Sequence, residues 1–389
     1  MSSQHIIMAV TNDLVTDQRV DRSCRALTEA GYRVTLVGRK LRCSSALAPR
    51  PYRTARMRLL FRRSALFYGE YNLRLFLRLF FSRADAFYAN DTDTLLACCC
   101  AARLRRKKLI FDAHELFPEV PELVDRPRVR KVWCWVEKHC LPHVDAAFTV
   151  CQSVAEEYAS RYGVEMTVVR NLPDWSRDDL RDSNSDENAA DAITLPPRTI
   201  LYQGAVNVGR GVQELIDAME FLPECHFVVA GNGDLLDSLR QYAQEKPWHE
   251  RVTFLGRVVP QRLRALTIQA SLGVCLLEDL GLNYRYALPN RIADFAQAGV
   301  PMLATDFCEI RRVLETYHIG TLTRPCPAQK EGAAYRQYVA CLAATIRFTL
   351  SYWDEVSPEE RQALFSEAAR DLCWKNEKIR YINKINTIF

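Results

Sequence analysis

The stretch TILYQGAVNVGRGVQELIDAMEF, residues 199–221, shows the repeating unit from which the chain is built. A short, mostly apolar run of strand length comes first and a turn with three glycines follows. The segment VQELIDAMEF then has the apolar period of about 3.6 residues that is typical of a helix. A strand, a glycine-rich turn and a helix in this order form a βα unit of a parallel sheet.

The same alternation of apolar runs and helical segments fills both halves of the chain. It occupies residues 1–172, stops in a polar and acidic segment at 173–197, and starts again in 198–372. The sequence therefore predicts an α/β protein with two Rossmann-like, doubly wound parallel-sheet domains joined by a linker. Ligands of such domains bind at the carboxyl ends of the strands, so we expect a cleft where these ends face each other.

Composition excludes several classes of protein. The 389 residues are 48% hydrophobic with a net charge of +5, which is typical of a globular protein with two cores. The 14 cysteines contain no CxxC pair and lie in apolar segments, which predicts reduced thiols and no zinc ribbon. The first residues show no secretion signal, and no apolar run approaches the roughly 18 residues of a membrane span.

The glycine-rich turn in residues 204–211 is a candidate phosphate site. Glycines let the backbone approach a phosphate, the helix N-terminus offers free N–H groups, and Arg210 adds a charge. The turn is neither a P-loop nor a dinucleotide fingerprint, so standard NTPase and dehydrogenase functions are excluded. The alternative is a tight βα turn without a ligand. The glycines of this turn are Gly204, Gly209 and Gly211.

Two further segments of the second domain have the same character. The loop in VVAGNGDLL places Gly231, Asn232 and Gly233 after a strand, although Asp234 could simply cap the next helix. In LPNRIADFAQAGVP we expect Asn290 to be the N-cap of a short helix, with Asp294 in its first turns facing a ligand diol. The alternative is an acid that only interacts with the helix dipole.

Polar residues also follow the strands of the first domain. In FDAHELFPE, His114 and Glu115 suit general acid–base work or hydrogen bonding to a ligand, unless the histidine is purely structural. The histidines are dispersed, so we expect no metal site. Other polar residues at such positions are Asp13, Asp17, Arg19, Asp91, Asp93, Asp112 and Glu119.

Positive charge is concentrated in residues 53–83 and 103–108. The first of these segments has eight arginines and one glutamate, interleaved with leucine and phenylalanine. Leu73 and Leu77 belong to one apolar helical stripe that Arg74 flanks. This pattern favours docking onto an anionic membrane surface. The alternatives are a packing helix with solvated arginines and a nucleic-acid site, for which the chain has no motif.

Six ordered motifs give the chain a resemblance to a known family. Between Ile6 and about Thr323 it resembles the family 4 retaining glycosyltransferases, also called glycosyltransferases group 1. The motifs are VTNDLVTDQRVDRSCRALTEAGYRVTLVGR, YANDTDTLL, DAHELFPE, YQGAVNVGRGVQELIDAM, VVAGNGD and LPNRIADFAQAGVPMLATD.

The resemblance implies a GT-B fold in which the second domain holds a nucleotide-diphosphate sugar and residues 373–389 cross back to the first domain. It implies transfer of the sugar to a hydroxyl of a glycan or lipid-linked acceptor, in surface polysaccharide or glycolipid synthesis. No cofactor, metal ion or nucleic acid is expected. Such proteins are cytoplasmic and often peripheral on the inner face of the plasma membrane, which agrees with the basic segments.

The resemblance also assigns roles to particular residues. Asp294 corresponds to the carboxylate that binds the donor ribose, Arg210 to the cation on the diphosphate, and His114 to the histidine near the transferred sugar. The chain departs from the family at Tyr286 and Ala205, where a glutamate and an arginine are expected. The remaining donor-side candidates are Asn290, Arg291 and Glu278, which could supply the missing carboxylate, and the acceptor-side candidates are Asp13, Arg19 and Glu115.

Two other functions remain open from the residues alone. A nucleotide-sugar 2-epimerase has the same architecture and needs no acceptor. A non-catalytic, transferase-like partner at the membrane is compatible with the residues at positions 205 and 286.

Overall fold

The computed structural model describes residues 3–15, 17–42, 44–175 and 193–389, which form two compact units. The predicted linker falls mostly on residues 176–192, which lie outside the described residues. The first unit comprises Met1–Asn171, Gly281–Asn283 and Lys375–Phe389, and the second comprises Leu172–Leu280 and Tyr284–Trp374.

The first unit is built on a seven-stranded parallel sheet. Its strands are β1 His5–Ala9, β2 Arg33–Lys40, β3 Arg53–Arg58, β4 Ala86–Asn90, β5 Lys108–Ala113, β6 Ala146–Thr149 and β7 Thr167–Val168. They are ordered β3-β2-β1-β4-β5-β6-β7, so the order reverses between β1 and β4. The helices of the first half are α1 Gln18–Glu29, α2 Ser64–Phe80, α3 Thr92–Arg105, α4 Pro121–Val124, α5 Pro127–Cys140 and α6 Gln152–Tyr162.

The second unit repeats this design with a six-stranded parallel sheet. Its strands are β8 Thr199–Gln203, β9 His226–Ala230, β10 Val252–Gly256, β11 Leu272–Cys275, β12 Met302–Thr305 and β13 Gly320–Thr323, ordered β10-β9-β8-β11-β12-β13. The later helices are α7 Val212–Ala218, α8 Leu236–Gln244, α9 Pro260–Gln269, α10 Leu282–Arg285, α11 Asn290–Ala298, α12 Cys308–Tyr317, α13 Gly332–Glu355, α14 Pro358–Asp371 and α15 Trp374–Asn386. The prediction of two doubly wound parallel-sheet domains is confirmed.

Helix α15 packs into the first unit, although it is the last element of the chain. Tyr381 is buried, with its ring centroid 5.1 Å from that of Phe148. The side chain of Glu377 is fully buried and accepts hydrogen bonds from the backbone N–H of Arg170 at 3.1 Å and from its Nε at 2.8 Å. A buried carboxylate bonded to a guanidinium and an amide fixes the docking of this helix.

Replacing Glu377 with glutamine should lower the free energy of unfolding by about 1–2 kcal/mol, because the amide keeps the shape but loses the charge-assisted bonds to Arg170. Thermal denaturation measures the change. The matched control is Glu367→Gln, an exposed position on α14, where we expect a change within about 0.5 kcal/mol. Equal effects of the two substitutions would contradict the structural role of Glu377.

The basic segment 53–83 contains a strand that the sequence did not suggest. Arg53–Arg58 forms β3, paired in parallel with β2 at the edge of the sheet, and α2 follows it. Helix α2 buries a stripe of Phe67, Tyr71, Leu75 and Leu79, while its other apolar residues stay exposed or half-buried. Within the described residues, none of the helices combines the length and apolar character needed to cross a membrane.

Candidate functional site

In the second unit, two of the predicted donor segments follow β8 and β11, the strands between which the strand order reverses. The crevice at such a reversal is where α/β sheets bind ligands. Gly204 follows β8, and Glu278 lies shortly after β11. The fold therefore brings the predicted glycine turns to the ligand-binding edge of the sheet.

The turns after β8 and β9 approach each other so closely that they require glycine. A Cβ atom on Gly231 would lie 1.8 Å from the carbonyl oxygen of Gly204. Gly204 itself has a φ of +126°, which L side chains rarely adopt, and its Cβ would lie 3.1 Å from Nη2 of Arg291. These glycines place the turn backbone directly beside a guanidinium group.

Arg210 is positioned by the glycines on either side of it and by an aromatic ring. Gly209 and Gly211 have φ values of +78° and +71°. The guanidinium carbon of Arg210 lies 4.9 Å from the ring centroid of Tyr284, whose hydroxyl donates to the carbonyl of Val208 at 3.0 Å. Nε of Arg210 is buried and has no hydrogen-bond partner among the described residues.

Arg291 is the second cation of this site. Its side chain is only 8% exposed, lies 4.3 Å from the ring centroid of Tyr202 and donates to the Tyr202 hydroxyl at 3.2 Å. Burial opposes its charge, but interactions with Tyr202, Cys275 and Asp294 outweigh it, so the pKa of Arg291 is raised. Its Nη1 is buried without a hydrogen-bond partner in the part of the chain that the structure describes.

Both guanidinium groups influence the same side chain of the sheet, Cys275 at the end of β11. Burial raises the pKa of the Cys275 thiol, and the nearby charges of Arg291 and Arg210 oppose that rise. The two arginines therefore lie near the carboxyl end of β11, each with a buried nitrogen that lacks a partner. Such nitrogens beside glycine turns fit the oxygens of a phosphate group, which arginine binds through its fork of N–H donors.

Asp294 lies in the second turn of α11, the helix that also carries Arg291. Its carboxylate accepts hydrogen bonds from Nε2 of Gln203 at 3.3 Å and from Nε1 of Trp175 at 3.4 Å. The side chain is half-buried. These contacts hold the carboxylate in one orientation at the end of β8.

The start of α11 differs from the prediction that Asn290 is its N-cap. Pro289 occupies the cap position with extended φ and ψ of −64° and 136°, and no side chain caps the helix. Asn290 is the first helical residue because proline sets the extended entry that the cap requires. The first N–H groups of the helix consequently have no side-chain cap. Gly299 ends the helix in the left-handed conformation.

Two other predicted donor residues are engaged inside the second unit. Glu278 accepts a hydrogen bond from Nζ of Lys330 at 2.8 Å, and Lys330 also lies 2.8 Å from the buried Glu214. The Asn232 side chain accepts from the N–H of Gly233 at 2.9 Å. Glu278 is therefore part of an ion-pair network, and Asn232 shapes its own turn.

In the first unit, His114 lies between two carboxylates at the ends of β4 and β5. Its Nδ1 is 3.3 Å from Asp91, and its Nε2 is 3.5 Å from Asp112. The Asp91 carboxylate also accepts from the backbone N–H of His114 at 2.8 Å. Asp91 has a φ of +62°, so the turn after β4 carries local backbone strain next to His114.

The charges of this cluster favour a protonated imidazole. Burial lowers the pKa of His114, but the carboxylates of Asp91 and Asp112 outweigh it and raise the pKa to about 9. Burial raises the pKa of Asp91 to about 7 and that of Asp93 to about 6. At neutral pH, His114 is therefore a cationic hydrogen-bond donor rather than a base.

This charge state predicts how stability depends on pH. The pKa of His114 in the folded chain, about 9, lies above its ordinary value of 6.5. The stabilisation that protonated His114 contributes to the folded state is therefore complete below pH 6.5, and it is lost as pH rises through 9. Urea denaturation at several pH values should show the unfolding free energy of the wild type falling across this range. His114→Gln should lack that part of the fall; an unchanged profile would contradict the charge state.

The acceptor-side candidates of the first unit have different partners. Arg19 is buried and donates to both oxygens of Asp112, at 2.6 and 3.3 Å. Burial opposes ionisation of Asp112, but Arg19 outweighs it and holds the pKa of that carboxyl well below its usual range. Arg19 thus fixes the Asp112 carboxylate beside His114. Asp13 accepts from the Ser44 hydroxyl at 2.9 Å.

Glu115 forms a hydrogen bond with Asn283, a residue that the sequence did not single out. Asn283, which belongs to the first unit, donates to Glu115 at 3.2 Å and accepts from the N–H of Leu116 at 2.9 Å. These bonds fix the chain directly after His114. A lone asparagine in a four-residue helix carries no sequence signal for such a role. Among the described residues, no group of three or more histidine, cysteine, aspartate or glutamate side chains is placed to hold a metal ion.

Comparisons with known proteins identify the family of the two domains. Residues 17–174 match the family Glycosyltransferase Family 4, and residues 197–338 match Glycosyl transferases group 1. No curated protein matches the chain in sequence.

Solved structures resemble the whole chain at low identity. Sucrose-phosphate synthase from Thermosynechococcus elongatus has 16% identity and a TM-score of 0.72, with 99% of each chain covered. Anabaena HepE in complex with UDP has 13% identity and a TM-score of 0.67, covering 99% of this chain and 100% of that one. The lipopolysaccharide outer core galactosyltransferase WaaB has 13% identity and a TM-score of 0.64, with the same coverage. The resemblance seen in the motifs is confirmed, and the chain belongs to the GT-B glycosyltransferases that combine a family 4 domain with a group 1 domain.

Proposed function

We propose that the protein is a retaining glycosyltransferase that uses a nucleotide-diphosphate sugar. The observation that supports this most is the pair of guanidinium groups of Arg210 and Arg291, whose buried, unpartnered nitrogens lie beside the glycine turns of the second unit. A diphosphate is the group that two such cations and uncapped helix N–H groups bind best. Solved neighbours such as HepE contain UDP, which supports a nucleotide in this role.

Arg291 compensates for the departure at Ala205. The family's diphosphate arginine is expected at position 205, where this chain has alanine. The Arg291 guanidinium lies against the adjacent Gly204, so the positive charge reaches the same turn from α11. In this proposal, Asp294 accepts hydrogen bonds from the donor ribose.

The reaction transfers the sugar with retention of configuration. The bond between the anomeric carbon and the diphosphate breaks, and its electron pair leaves with the diphosphate, whose charge Arg210 and Arg291 stabilise. The acceptor hydroxyl forms the new bond from the face that the diphosphate leaves, and its proton passes to the departing phosphate oxygen. The protonated His114 donates a hydrogen bond to the transferred sugar.

Incubation with UDP- and GDP-sugars tests this function. Released nucleotide is measured with and without a mixture of glycan acceptors, and Arg210→Ala should abolish the release. Release in a chelating buffer should equal release without chelator, because arginine takes the place of a metal ion. Conversion of the donor without any acceptor would identify an epimerase instead. Wild-type turnover in Arg210→Ala would reject the role of Arg210.

We also propose that the first unit docks onto an anionic membrane. Helix α2 exposes Leu73 and Leu77 next to Arg74 and Arg78, and residues 103–108 add further basic side chains. Apolar groups flanked by arginine fit acyl chains under anionic headgroups. Sedimentation with phosphatidylglycerol vesicles should recover the wild type but much less of Leu73→Ser/Leu77→Ser. Equal recovery of both would remove α2 from the docking surface.

A further inference from the structure

A pocket of about 380 Å³ in the first unit is lined by cations and has no part in the steps above. It lies at the carboxyl ends of β2 and β3, on the edge of the sheet that also carries His114. None of its lining residues is acidic, and the rest of the lining is Leu41, Leu59 and Phe61. Its five charged lining residues are Arg39, Lys40, Arg42, Arg58 and Arg62.

Such a grouping places like charges close together. Lys40 and Arg58 are register partners on adjacent strands, and like charges in that relation repel. Within the described residues, no carboxylate forms an ion pair with any of the five cations of the pocket. Nε of Arg39 is buried without a hydrogen-bond partner among the same residues. An anion in the pocket would offset this concentration of positive charge.

The pocket walls are held in place without an anion. The Glu70 carboxylate accepts from the backbone N–H groups of Leu60 and Phe61 and pairs with Arg74 at 2.8 Å. The Glu70 carboxylate is thus directed at the loop backbone and at Arg74. The Arg39 guanidinium lies 4.5 Å from the ring centroid of Phe67. Preformed donors lower the cost of ordering a ligand.

The surroundings indicate what carries the anion. Leu60 and Phe61 next to the pocket are 78% and 45% exposed, and α2 continues this apolar surface with Leu66, which is 59% exposed. Cations in a pocket with exposed apolar side chains at its rim suit a phosphate that is attached to a lipid chain. A soluble sugar phosphate would use the cations but not the rim.

The strand order places an anion in the pocket well away from His114. The pocket lies at β2 and β3, and His114 follows β5, which is three strand positions from β2. Neighbouring strands are about 4.8 Å apart, so the separation is roughly 14 Å. A phosphate in the pocket therefore lies too far from His114 to carry the reacting hydroxyl itself, and a saccharide must extend between them.

Resting on the proposed function, we propose that this cationic pocket binds the phosphate or pyrophosphate of a lipid-linked saccharide, which is the acceptor of the reaction. The lipid chain lies along the exposed leucines and phenylalanine of the rim, and the saccharide reaches toward His114.

Calorimetric titration with inorganic pyrophosphate tests the anion site in the presence of excess UDP, which occupies the donor site. The test variant is Lys40→Gln/Arg58→Gln. The matched control is Arg33→Gln/Arg53→Gln, which removes two exposed cations from the opposite ends of the same two strands. We expect the test variant to weaken pyrophosphate binding by about tenfold or more, since each cation contributes a charge-assisted contact. The control should bind as the wild type does. Equal binding by both variants overturns the site.

Vesicles distinguish the lipid-borne phosphate from a soluble one. Phosphatidylcholine vesicles carrying a polyprenyl pyrophosphate should bind the wild type more tightly than phosphatidylglycerol vesicles of the same surface charge, and Lys40→Gln/Arg58→Gln should lose this difference. If the two kinds of vesicle bind equally, the acceptor is not lipid-linked. The Arg210→Ala protein should keep the preference, so failure of the donor assignment is seen separately from failure of this pocket.

Discussion

Replacing Arg291 with alanine is expected to slow nucleotide release from the donor by about 10²–10³-fold, the usual loss when one group that stabilises developing charge is removed. The side chain is 8% exposed, and its Nη1 has no partner within the described chain, so a bound diphosphate would be its natural acceptor. In the proposed function, its position next to Gly204 lets it replace the cation that is expected at position 205.

Controls separate this effect from loss of folding. Arg291→Lys keeps the charge but loses the planar stacking on Tyr202, so we expect an intermediate rate. Arg336→Ala removes an exposed arginine from α13 and should leave the rate unchanged. Thermal denaturation confirms that each variant is folded. A folded Arg291→Ala protein with the wild-type rate would show that the cation does not contact the leaving group.

Gly231→Ala should destabilise the second unit by about 3 kcal/mol or more, because its Cβ would lie 1.8 Å from the carbonyl oxygen of Gly204. Backbone cannot move aside as a flexible side chain can, so the turns after β8 and β9 must separate. We expect a lower midpoint in urea denaturation and weaker binding of UDP, since both turns belong to the proposed donor site.

The matched control for this substitution is Gly69→Ala. Gly69 lies inside α2, and a Cβ there has no neighbour within 4 Å. Alanine is the better helix former by roughly 1 kcal/mol, so this variant should be as stable as the wild type or more so. If Gly231→Ala were equally harmless, the close packing of the two turns would be disproved.

The presence of the buried parallel strands along the chain was predictable because such strands read as continuous apolar runs. Strand β3 was missed for the opposite reason. Its sequence RTARMR is half arginine, and an edge strand with exposed or half-buried faces carries no apolar run. Helix α13 was also missed, although Tyr335, Val339 and Leu342 repeat at helical spacing and are buried. Its signal was present but follows the last strand, where the βα alternation no longer guides the assignment.

The candidate site was partly predictable for a similar reason. Glycines and charged residues at strand ends can be recognised from local sequence, which led to Gly204, Arg210 and Asp294. Partners that lie far along the chain cannot be recognised in this way. The stacking of Arg291 on Tyr202 joins positions 89 residues apart, and the bond between Glu278 and Lys330 joins positions 52 apart. Only the folded sheet brings these side chains together.

A crystal structure of the protein soaked with UDP or GDP tests the central claim most directly. The account predicts the diphosphate on the turns at Gly204 and Gly231, with its oxygens within hydrogen-bond distance of Arg210 and Arg291 and the ribose hydroxyls at Asp294. A nucleotide bound away from both arginines, or no binding of either nucleotide at saturating concentration, would contradict it.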